Sequence, residues 1–201
     1  MHDTDALADV IAAALATQGY CIVDDALPPA LAKDLASACA AAPPAAFRAA
    51  GIGRRESRQH DSTVRSDAIR WLDAAVDPDA LYLQATETLR ASLNRKLFLG
   101  LFDYECHYAR YAPGACYRRH VDAFAGQKNR VLSTVLYLNP DWREGEGGEL
   151  VLYEGDAAEA LQRVLPLFNR LVVFLSERFP HEVLPATRAR HSIAGWFRVR
   201  S

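Results

Sequence analysis

The stretch LFLGLFDYECHYARY, residues 97–111, marks a change in the texture of the chain, because helical spacing ends and strand-like runs begin. Short apolar runs follow one another from this point, and turn signals such as Pro113-Gly114 and Gly147-Gly148 separate them. The later runs are RVLSTVLYLN (130–139), ELVLY (149–153), RLVVFL (170–175), HEVLP (181–185) and RHSIAGWFRV (190–199). Short strands in this number, with helices gathered upstream, predict a mainly β fold, an antiparallel double-sheet jelly roll.

The residues upstream of this point are predicted to be mainly helical. Apolar spacing and end signals indicate one helix that Thr4 caps and that stops at Gly19, and a second from about Pro29 to Ala41. A short strand over Tyr20 to Val23 is expected between them. A third helix fits Asp79 to Lys96, and its apolar face is predicted to comprise Leu81, Leu83, Thr86, Leu89 and Leu93.

The stretch from Ala45 to Ser66 is rich in Arg, Gly, Ser and His and shows little periodicity. This composition favours a mobile surface loop over a linker between domains. We therefore predict one domain over residues 1–201. Residues 1–96 or thereabouts would form the helical support and a substrate loop, and residues 97–200 the jelly-roll core.

Composition and charge exclude several classes of function. Half of the residues are hydrophobic (50%) and the net charge is -2, so no global basic field supports nucleic-acid binding. No apolar run has the length of roughly 18 residues that a membrane span needs, and the acidic start MHDTDALADV is unlike a secretory signal. We expect a cytoplasmic protein, and its excess of Ala and Arg suits a GC-rich bacterial genome. Scattered cysteines without a CxxC pair favour buried free thiols over disulfides or a zinc site: Cys21, Cys39, Cys106 and Cys116.

The tetrapeptide Arg-His-Val-Asp at 119–122 is a candidate metal-binding element. In extended backbone, side chains two apart point the same way, so His120 and Asp122 can bind one ion from one face. His181, near the start of a late strand, is a candidate third ligand. Two imidazoles and one carboxylate on one face leave octahedral positions open, an arrangement typical of non-haem Fe(II). Zinc accepts the same ligands, so the triad alone leaves the ion open.

Arg190 is the second candidate, nine positions after His181 (190 − 181 = 9). It opens the otherwise apolar strand RHSIAGWF, where a buried cation needs an anionic partner. A guanidinium fork that faces inward suits the distal carboxylate of a dicarboxylate. The alternative for Arg190 is a surface salt bridge at the start of the strand.

Five segments together carry a resemblance to a known family. They are VRSDAIRWLD (64–73), YRRHVDAF (117–124), RVLSTVLYLNPDW (130–142), GGELVLY (147–153) and PHEVLPATRARHSIAGWF (180–197). In these segments the chain resembles the prolyl hydroxylase branch of the Fe(II)/2-oxoglutarate oxygenases, which includes the oxygen-sensing hydroxylases of animals and small bacterial relatives. The resemblance implies a double-stranded β-helix with supporting N-terminal helices, in agreement with the fold predicted above.

The resemblance also implies roles for matching residues. His120, Asp122 and His181 would hold the iron, and Arg190 would bind the C5 carboxylate of 2-oxoglutarate. Tyr137 would hydrogen-bond the same carboxylate; its alternative is a tyrosine of the barrel core.

Three further matches are looser. Tyr111 would approach the co-substrate, although its spacing to His120 differs from the family pattern by one residue. Trp196 lies six residues after Arg190, hence on the same strand face, where it would wall the pocket or simply fill the core. Arg130 would contact a peptide substrate, or be an ordinary solvated arginine.

The activity that the resemblance implies is hydroxylation of a prolyl residue in a protein or peptide substrate. Fe(II) would be the cofactor, 2-oxoglutarate and O₂ the co-substrates, and ascorbate a candidate reductant. The alternatives are hydroxylation of a free amino acid or other small molecule, and a non-catalytic metal-binding barrel. In similar enzymes the region that corresponds to residues 45–66 folds over peptide, so we expect a lid here.

Overall fold

The structure is a computed structural model that describes residues 4–51, 63–123 and 129–200. Within these ranges the helices are α1 (Thr4–Thr17), α2 (Pro29–Ala41) and α3 (Asp79–Leu97), and Pro44–Ala46 form a 3-10 turn. The strands are β1 (Tyr20–Val23), β2 (Arg48–Ala49), β3 (Ala68–Trp71), β4 (Asp103–Tyr111), β5 (Tyr117–His120), β6 (Arg130–Tyr137), β7 (Leu150–Leu152), β8 (Gln162–Val164), β9 (Leu171–Leu175), β10 (His181–Val183) and β11 (Arg190–Arg198).

The strands form two antiparallel sheets. The major sheet has seven strands in the order β1-β9-β6-β11-β4-β3-β2, and the minor sheet has four in the order β5-β10-β7-β8. Side chains of both sheets meet in one buried cluster, in which Leu150 and Val183 of the minor sheet pack with Val172 and Phe174 of the major sheet. Two facing sheets with crossover connections make a jelly roll, which confirms the predicted fold class.

The helices cover the outer face of the major sheet. Ile11 of α1, Leu35 of α2 and Leu93 of α3 are fully buried against sheet residues that include Ile193 and Phe197. Each helix is short enough that its stability comes mainly from this apolar contact rather than from intrinsic helix propensity. The arrangement leaves the inner face of the sheet free to line a cavity.

The third helix ends one residue later than predicted, and its predicted apolar face is confirmed at Thr86, Leu89 and Leu93 but not at Leu81. Its buried face runs through Tyr82, Thr86, Leu89 and Leu93, a spacing of four, three and four residues. Leu81, which was predicted on this face, is 46% exposed. In the first turn, the aromatic ring of Tyr82 occupies the buried position instead of Leu81, since it buries more apolar area than a leucine side chain.

The structure differs from the expected strands in two respects. Residues 98–102 are not extended, because α3 runs on to Leu97 and ends with Phe98 in a left-handed conformation (φ 54°). The strands β2, β3 and β8 were not predicted from the sequence. β2 lies inside the stretch that was assigned to a loop.

The expectations for the cysteines and for membrane spans concern described residues, whereas part of the expected lid lies outside them. All four cysteines are free; Cys21, Cys39 and Cys106 are buried and Cys116 is half-buried. Among the described residues, no helix has both the length and the apolar character needed to cross a membrane. The central part of the expected lid, residues 52–62 with Arg54, Arg55, Arg58 and His60, lies outside the described ranges.

Candidate active site

The structure brings His120, Asp122 and His181 together at the edge of the minor sheet. His120 ends β5, His181 begins β10, and the two residues are register partners. The Nε2 atom of His120 lies 3.6 Å from Oδ1 of Asp122, and Nε2 of His181 lies 3.5 Å from Oδ2. One ligand atom from each side chain fits within 4.8 Å of the other two. The three donors therefore converge on one point.

Hydrogen bonds hold both imidazoles with Nε2 toward that point. Nδ1 of His120 lies 2.8 Å from the carbonyl oxygen of Arg118, and Nδ1 of His181 lies 3.0 Å from that of Phe179. A carbonyl oxygen only accepts, so each Nδ1 carries the proton and donates it. Each Nε2 then keeps a free lone pair, which is the tautomer that binds metal.

The carboxylate of the triad is also oriented and charged. The Ser133 hydroxyl donates to Oδ2 of Asp122 at 2.7 Å, and Ser133 and Ser176 share a hydrogen bond of 2.9 Å. Burial alone would raise the pKa of Asp122, but the two histidines and the serine hydrogen bond outweigh it and hold this pKa well below its usual value. Burial lowers the pKa of His181 to about 4. The site therefore offers neutral imidazole and a carboxylate anion.

A buried cation lies in the same cavity. Arg190 is 1% exposed and has no carboxylate partner among the residues that the structure describes. Its Nε donates to the carbonyl oxygen of Gly148 at 2.9 Å and its Nη1 to Ser192 Oγ at 3.4 Å, while Nη2 has no hydrogen-bond partner in the described ranges. The hydroxyl of Tyr137, also fully buried, has no partner there either. These two buried donors lie close together, and a bound anion would accept hydrogen bonds from both.

Gly148 allows this position of Arg190. It adopts a positive φ of 73°, and a Cβ at this residue would lie 3.2 Å from Cδ of Arg190 and 3.0 Å from the Trp142 ring. Only glycine meets both conditions without strain, so the backbone can approach the arginine and accept its Nε–H. The Gly147-Gly148 pair, noted in the sequence only as a turn signal, thus helps to place the cation.

The cavity that contains both groups has a volume of about 280 Å³ and lies between the two sheets. Three small residues on the major sheet, Ala109, Ser192 and Ala194, line it together with Val135. Larger side chains at these positions would fill the space between the cation and the metal ligands. The cavity therefore has room for a small dicarboxylate that reaches from Arg190 toward the triad.

The three looser sequence candidates also line this cavity. The Tyr111 ring lies 5.0 Å from the Arg190 guanidinium. At the opposite end, the guanidinium of Arg130 stacks 3.7 Å above the Trp196 ring and pairs with Glu105 at 2.8 Å. Arg130 is thus neither freely solvated nor mobile, because an aromatic face and a carboxylate both hold it.

Sequence reasoning missed several residues that shape the site. Tyr117 stacks on His120 with ring centroids 3.5 Å apart, and Arg65 lies 4.6 Å above the Tyr117 ring while it pairs with Asp67 at 2.6 Å. Ser133 could have been found, because it shares the parity of Tyr137 on one strand and is polar. No local signal indicated the Arg65–Asp67 pair, since its importance comes from contacts across strands.

Comparison with known proteins agrees with this geometry. Residues 106–198 match the family described as 2OG-Fe(II) oxygenase superfamily. A crystal structure of a Pseudomonas putida prolyl-4-hydroxylase is 42% identical, with a TM-score of 0.84, over 96% of this chain and 99% of that one. The chain belongs to the 2OG-Fe(II) oxygenase superfamily, in its prolyl hydroxylase branch.

Two more distant members of the superfamily are similar over much of the chain. A prolyl hydroxylase from Trichoplax adhaerens, solved with a peptide fragment of the hypoxia inducible factor oxygen degradation domain, is 26% identical with a TM-score of 0.82 and covers 97% of this chain and 90% of that one. Human Egl nine homolog 1 is 29% identical over an alignment of 158 positions, which covers 72% of this chain. The chain spans 36% of that human protein and 45% of its rat counterpart.

Membership in the superfamily implies Fe(II), 2-oxoglutarate and O₂, and the residues present fit them. The triad offers two imidazole nitrogens and one carboxylate, a donor set suited to Fe(II) with positions left open. The orphaned donors of Arg190 and Tyr137 match one carboxylate of 2-oxoglutarate in charge and in hydrogen-bonding capacity. Both fits rest on unsatisfied groups of this chain.

Proposed function

We propose that the chain is an Fe(II)- and 2-oxoglutarate-dependent dioxygenase of the peptidyl-prolyl 4-hydroxylase type, acting on a prolyl residue in a protein. One observation carries the proposal: a metal-ligand triad and a buried unpaired arginine line the same cavity of about 280 Å³. A metal-binding barrel without catalysis would have no use for an uncompensated cation beside its metal.

In this proposal His120, Asp122 and His181 hold Fe(II). The iron, when bound, supplies the oxidising chemistry that turns O₂ and 2-oxoglutarate into a reagent able to hydroxylate a C–H bond. The other residues around the metal site hold its three ligands in position. Ser133 keeps the carboxylate of Asp122 in place, and the carbonyl oxygens of Arg118 and Phe179 fix the two imidazole tautomers.

Arg190 and Tyr137 would bind and orient the far carboxylate of 2-oxoglutarate. Burial raises the pKa of Tyr137 although Arg190 opposes the shift, so the phenol stays protonated and donates. The small residues Ala109 and Ala194 leave space for the co-substrate carbons, and Tyr111 closes the cavity beside Arg190. These walls exclude water and hold one end of the co-substrate, which fixes the other end at the metal.

The opposite end of the cavity would receive the substrate. Trp196 and Arg130 form a rigid cation–aromatic pair there, and Trp71 is 41% exposed at the same cavity. Aromatic faces suit the apolar pyrrolidine ring of proline. The likeness to two prolyl hydroxylases, one of them solved with a peptide, supports a peptidyl substrate. We further propose that the protein is a single domain and works in the cytoplasm, with ascorbate as a reductant.

The proposal is tested in two steps with wild-type protein, Asp122→Ala and the control Asp34→Ala, which removes an exposed carboxylate of α2. Release of succinate from 2-oxoglutarate with Fe(II) is measured first. A library of short peptides with a central proline is then incubated with each protein and analysed by mass spectrometry for one added oxygen on proline. We expect turnover by wild type and by Asp34→Ala, and a loss of more than about 100-fold in Asp122→Ala.

Each other outcome has a definite meaning. Succinate release without any hydroxylated peptide, but with hydroxylation of free proline, would replace the peptidyl substrate by a small molecule. An absence of succinate release in wild type, with bound metal demonstrated, would show a non-catalytic metal-binding barrel.

A further inference from the structure

His107 of β4 lies in a row of residues that crosses the cavity floor. The register pairs Trp71 with His107, His107 with Ala194, and Ala194 with Val135, from β3 to β6. All four residues line the cavity. Trp71 and Val135 are apolar and form walls of the cavity, and the small Ala194 leaves room in it. His107 is the polar member of this row, and neither the metal centre nor the proposed arginine site uses it.

The imidazole of His107 is held in one orientation. Its ring meets the Trp71 ring edge-on, with centroids 5.3 Å apart at 88°, and the Trp196 ring at 5.5 Å and 58°. Nδ1 lies 3.2 Å from the carbonyl oxygen of Tyr108, which only accepts, so Nδ1 carries the proton. Nε2 is therefore an acceptor. Within residues 4–51, 63–123 and 129–200 it has no hydrogen-bond partner.

Packing alone does not account for a histidine at this position. The residue is 2% exposed, and its surroundings lower its pKa to about 4, first through burial and then through the charge of Arg65. The ring is thus neutral at physiological pH, with one nitrogen unsatisfied. An apolar side chain of the same size would pack between the two tryptophans without placing a polar nitrogen that lacks a protein partner beside the cavity. Nε2 is not among the polar atoms sealed from solvent, so it opens to the cavity.

We propose that His107 is a positioning residue that accepts, through Nε2, a hydrogen bond from a main-chain N–H of the bound peptide. The inference rests on the proposed function, because it requires a peptide in the cavity. A prolyl residue itself has no N–H. The nearest main-chain donor is the N–H of the residue that follows the target proline, and this is the group that His107 would bind. Because Trp71 and Trp196 fix the ring, the acceptor selects one direction of the peptide chain.

The first test compares His107→Met with His107→Gln, using the library peptide on which the wild-type enzyme acts fastest. Methionine has a similar length and no strong acceptor, while the glutamine amide oxygen can still accept. We expect His107→Met to raise KM for the peptide about two- to tenfold, with a smaller change in kcat and no change in KM for 2-oxoglutarate. His107→Gln should recover most of this loss, which a purely structural role would not produce.

The second test removes the partner atom instead. An ester in place of the peptide bond after the target proline deletes one N–H and leaves the side chains unchanged. We expect the ester to raise KM for wild type about two- to tenfold and to have little effect in His107→Met, so that the two changes are not additive. The control is the same ester two bonds earlier, which deletes the N–H of the residue before the proline and should affect both proteins equally.

Several results would overturn the assignment. An unchanged peptide KM in His107→Met, or an ester effect of equal size in both proteins, would show that Nε2 binds no peptide N–H. A parallel rise of KM for the peptide and for 2-oxoglutarate in both variants would indicate a structural role instead. If wild type hydroxylates no library peptide, the proposed function fails together with this inference. Wild-type activity with an indifferent His107→Met overturns the inference alone.

Discussion

The nine residues of β11 have two faces: one packs against the helices, and the other lines the cavity. On the outer face, Ile193 and Phe197 are completely buried against the helices. On the inner face, Arg190, Ser192 and Trp196 are buried too, but they line a cavity. Alternation of side chains along an extended strand is enough to separate the two sets.

The difference lies in whether polar groups are satisfied. On the outer face, the hydroxyl groups of Tyr104 and Thr134 bond each other at 2.8 Å beneath Gly195, where the absence of a Cβ leaves room for the tyrosine ring. On the inner face, Nη2 of Arg190 and the Tyr137 hydroxyl have no hydrogen-bond partner in the part of the chain that the structure describes. Folding thus satisfies the polar groups of the outer face, whereas the polar groups of the inner face stay available to bind a ligand. Substitutions on the two faces should therefore separate stability from binding.

The largest effect on binding is expected for Arg190→Met. Methionine keeps the length of the side chain and removes the one charge proposed to bind the far carboxylate of 2-oxoglutarate. Loss of one member of a buried charge pair typically costs about 3–5 kcal/mol, so the dissociation constant should rise by more than about 100-fold. Titration of metal-loaded protein with 2-oxoglutarate measures this, and metal content should stay equal to that of wild type.

The thermal stability of Arg190→Met provides the internal control. Because the wild-type cation has no anionic partner among the residues that the structure describes, its removal should not lower the melting temperature. A variant that binds 2-oxoglutarate as tightly as wild type would show that the carboxylate is held elsewhere in the cavity.

The converse substitution is Ile193→Ala, three positions along the same strand and on the other face. Ile193 is completely buried, so its truncation should leave a cavity and destabilise the protein by about 2–5 kcal/mol. Denaturant unfolding measures this loss. The affinity of the remaining folded protein for metal and for 2-oxoglutarate should be unchanged. A large loss of affinity in Ile193→Ala would mean that the two faces are coupled, which contradicts the comparison.

The sequence predicted some residues of the cavity and missed others. Arg190 could be found because a cation at the head of an apolar strand is conspicuous, and His120 with Asp122 because their spacing matches extended backbone. His107 could not be found in this way. Its neighbours in sequence, Cys106 and Tyr108, say nothing about the two tryptophans that hold its ring.

Register explains the remaining gaps. Trp71 reaches His107 only because β3 pairs with β4 in one particular alignment. A one-residue slip would turn Trp71 away, and no local pattern fixes the register of a strand of four residues. Element types and face parity could be predicted from the sequence, while contacts between distant short strands could not.

The smallest of the three effects is expected for Tyr137→Phe, which tests a single hydrogen bond on the inner face. The substitution deletes one hydroxyl and keeps the ring, which lies 5.0 Å from the Arg190 guanidinium. In the ligand-free protein this hydroxyl is fully buried without a partner, so phenylalanine should leave stability unchanged or raise it by as much as about 1 kcal/mol. With 2-oxoglutarate present, the variant loses a hydrogen bond to a charged group. That loss should weaken binding by about 1.5–3 kcal/mol, or roughly ten- to hundredfold.

Thermal unfolding with and without saturating 2-oxoglutarate measures both effects at once, because a ligand that binds only the folded state stabilises it more when it binds more tightly. Tyr137→Phe should therefore start at or above the melting temperature of wild type and gain less from the ligand. A variant that is less stable than wild type without ligand would show that folding already satisfies the hydroxyl, and that the inner face is not left incomplete at this residue.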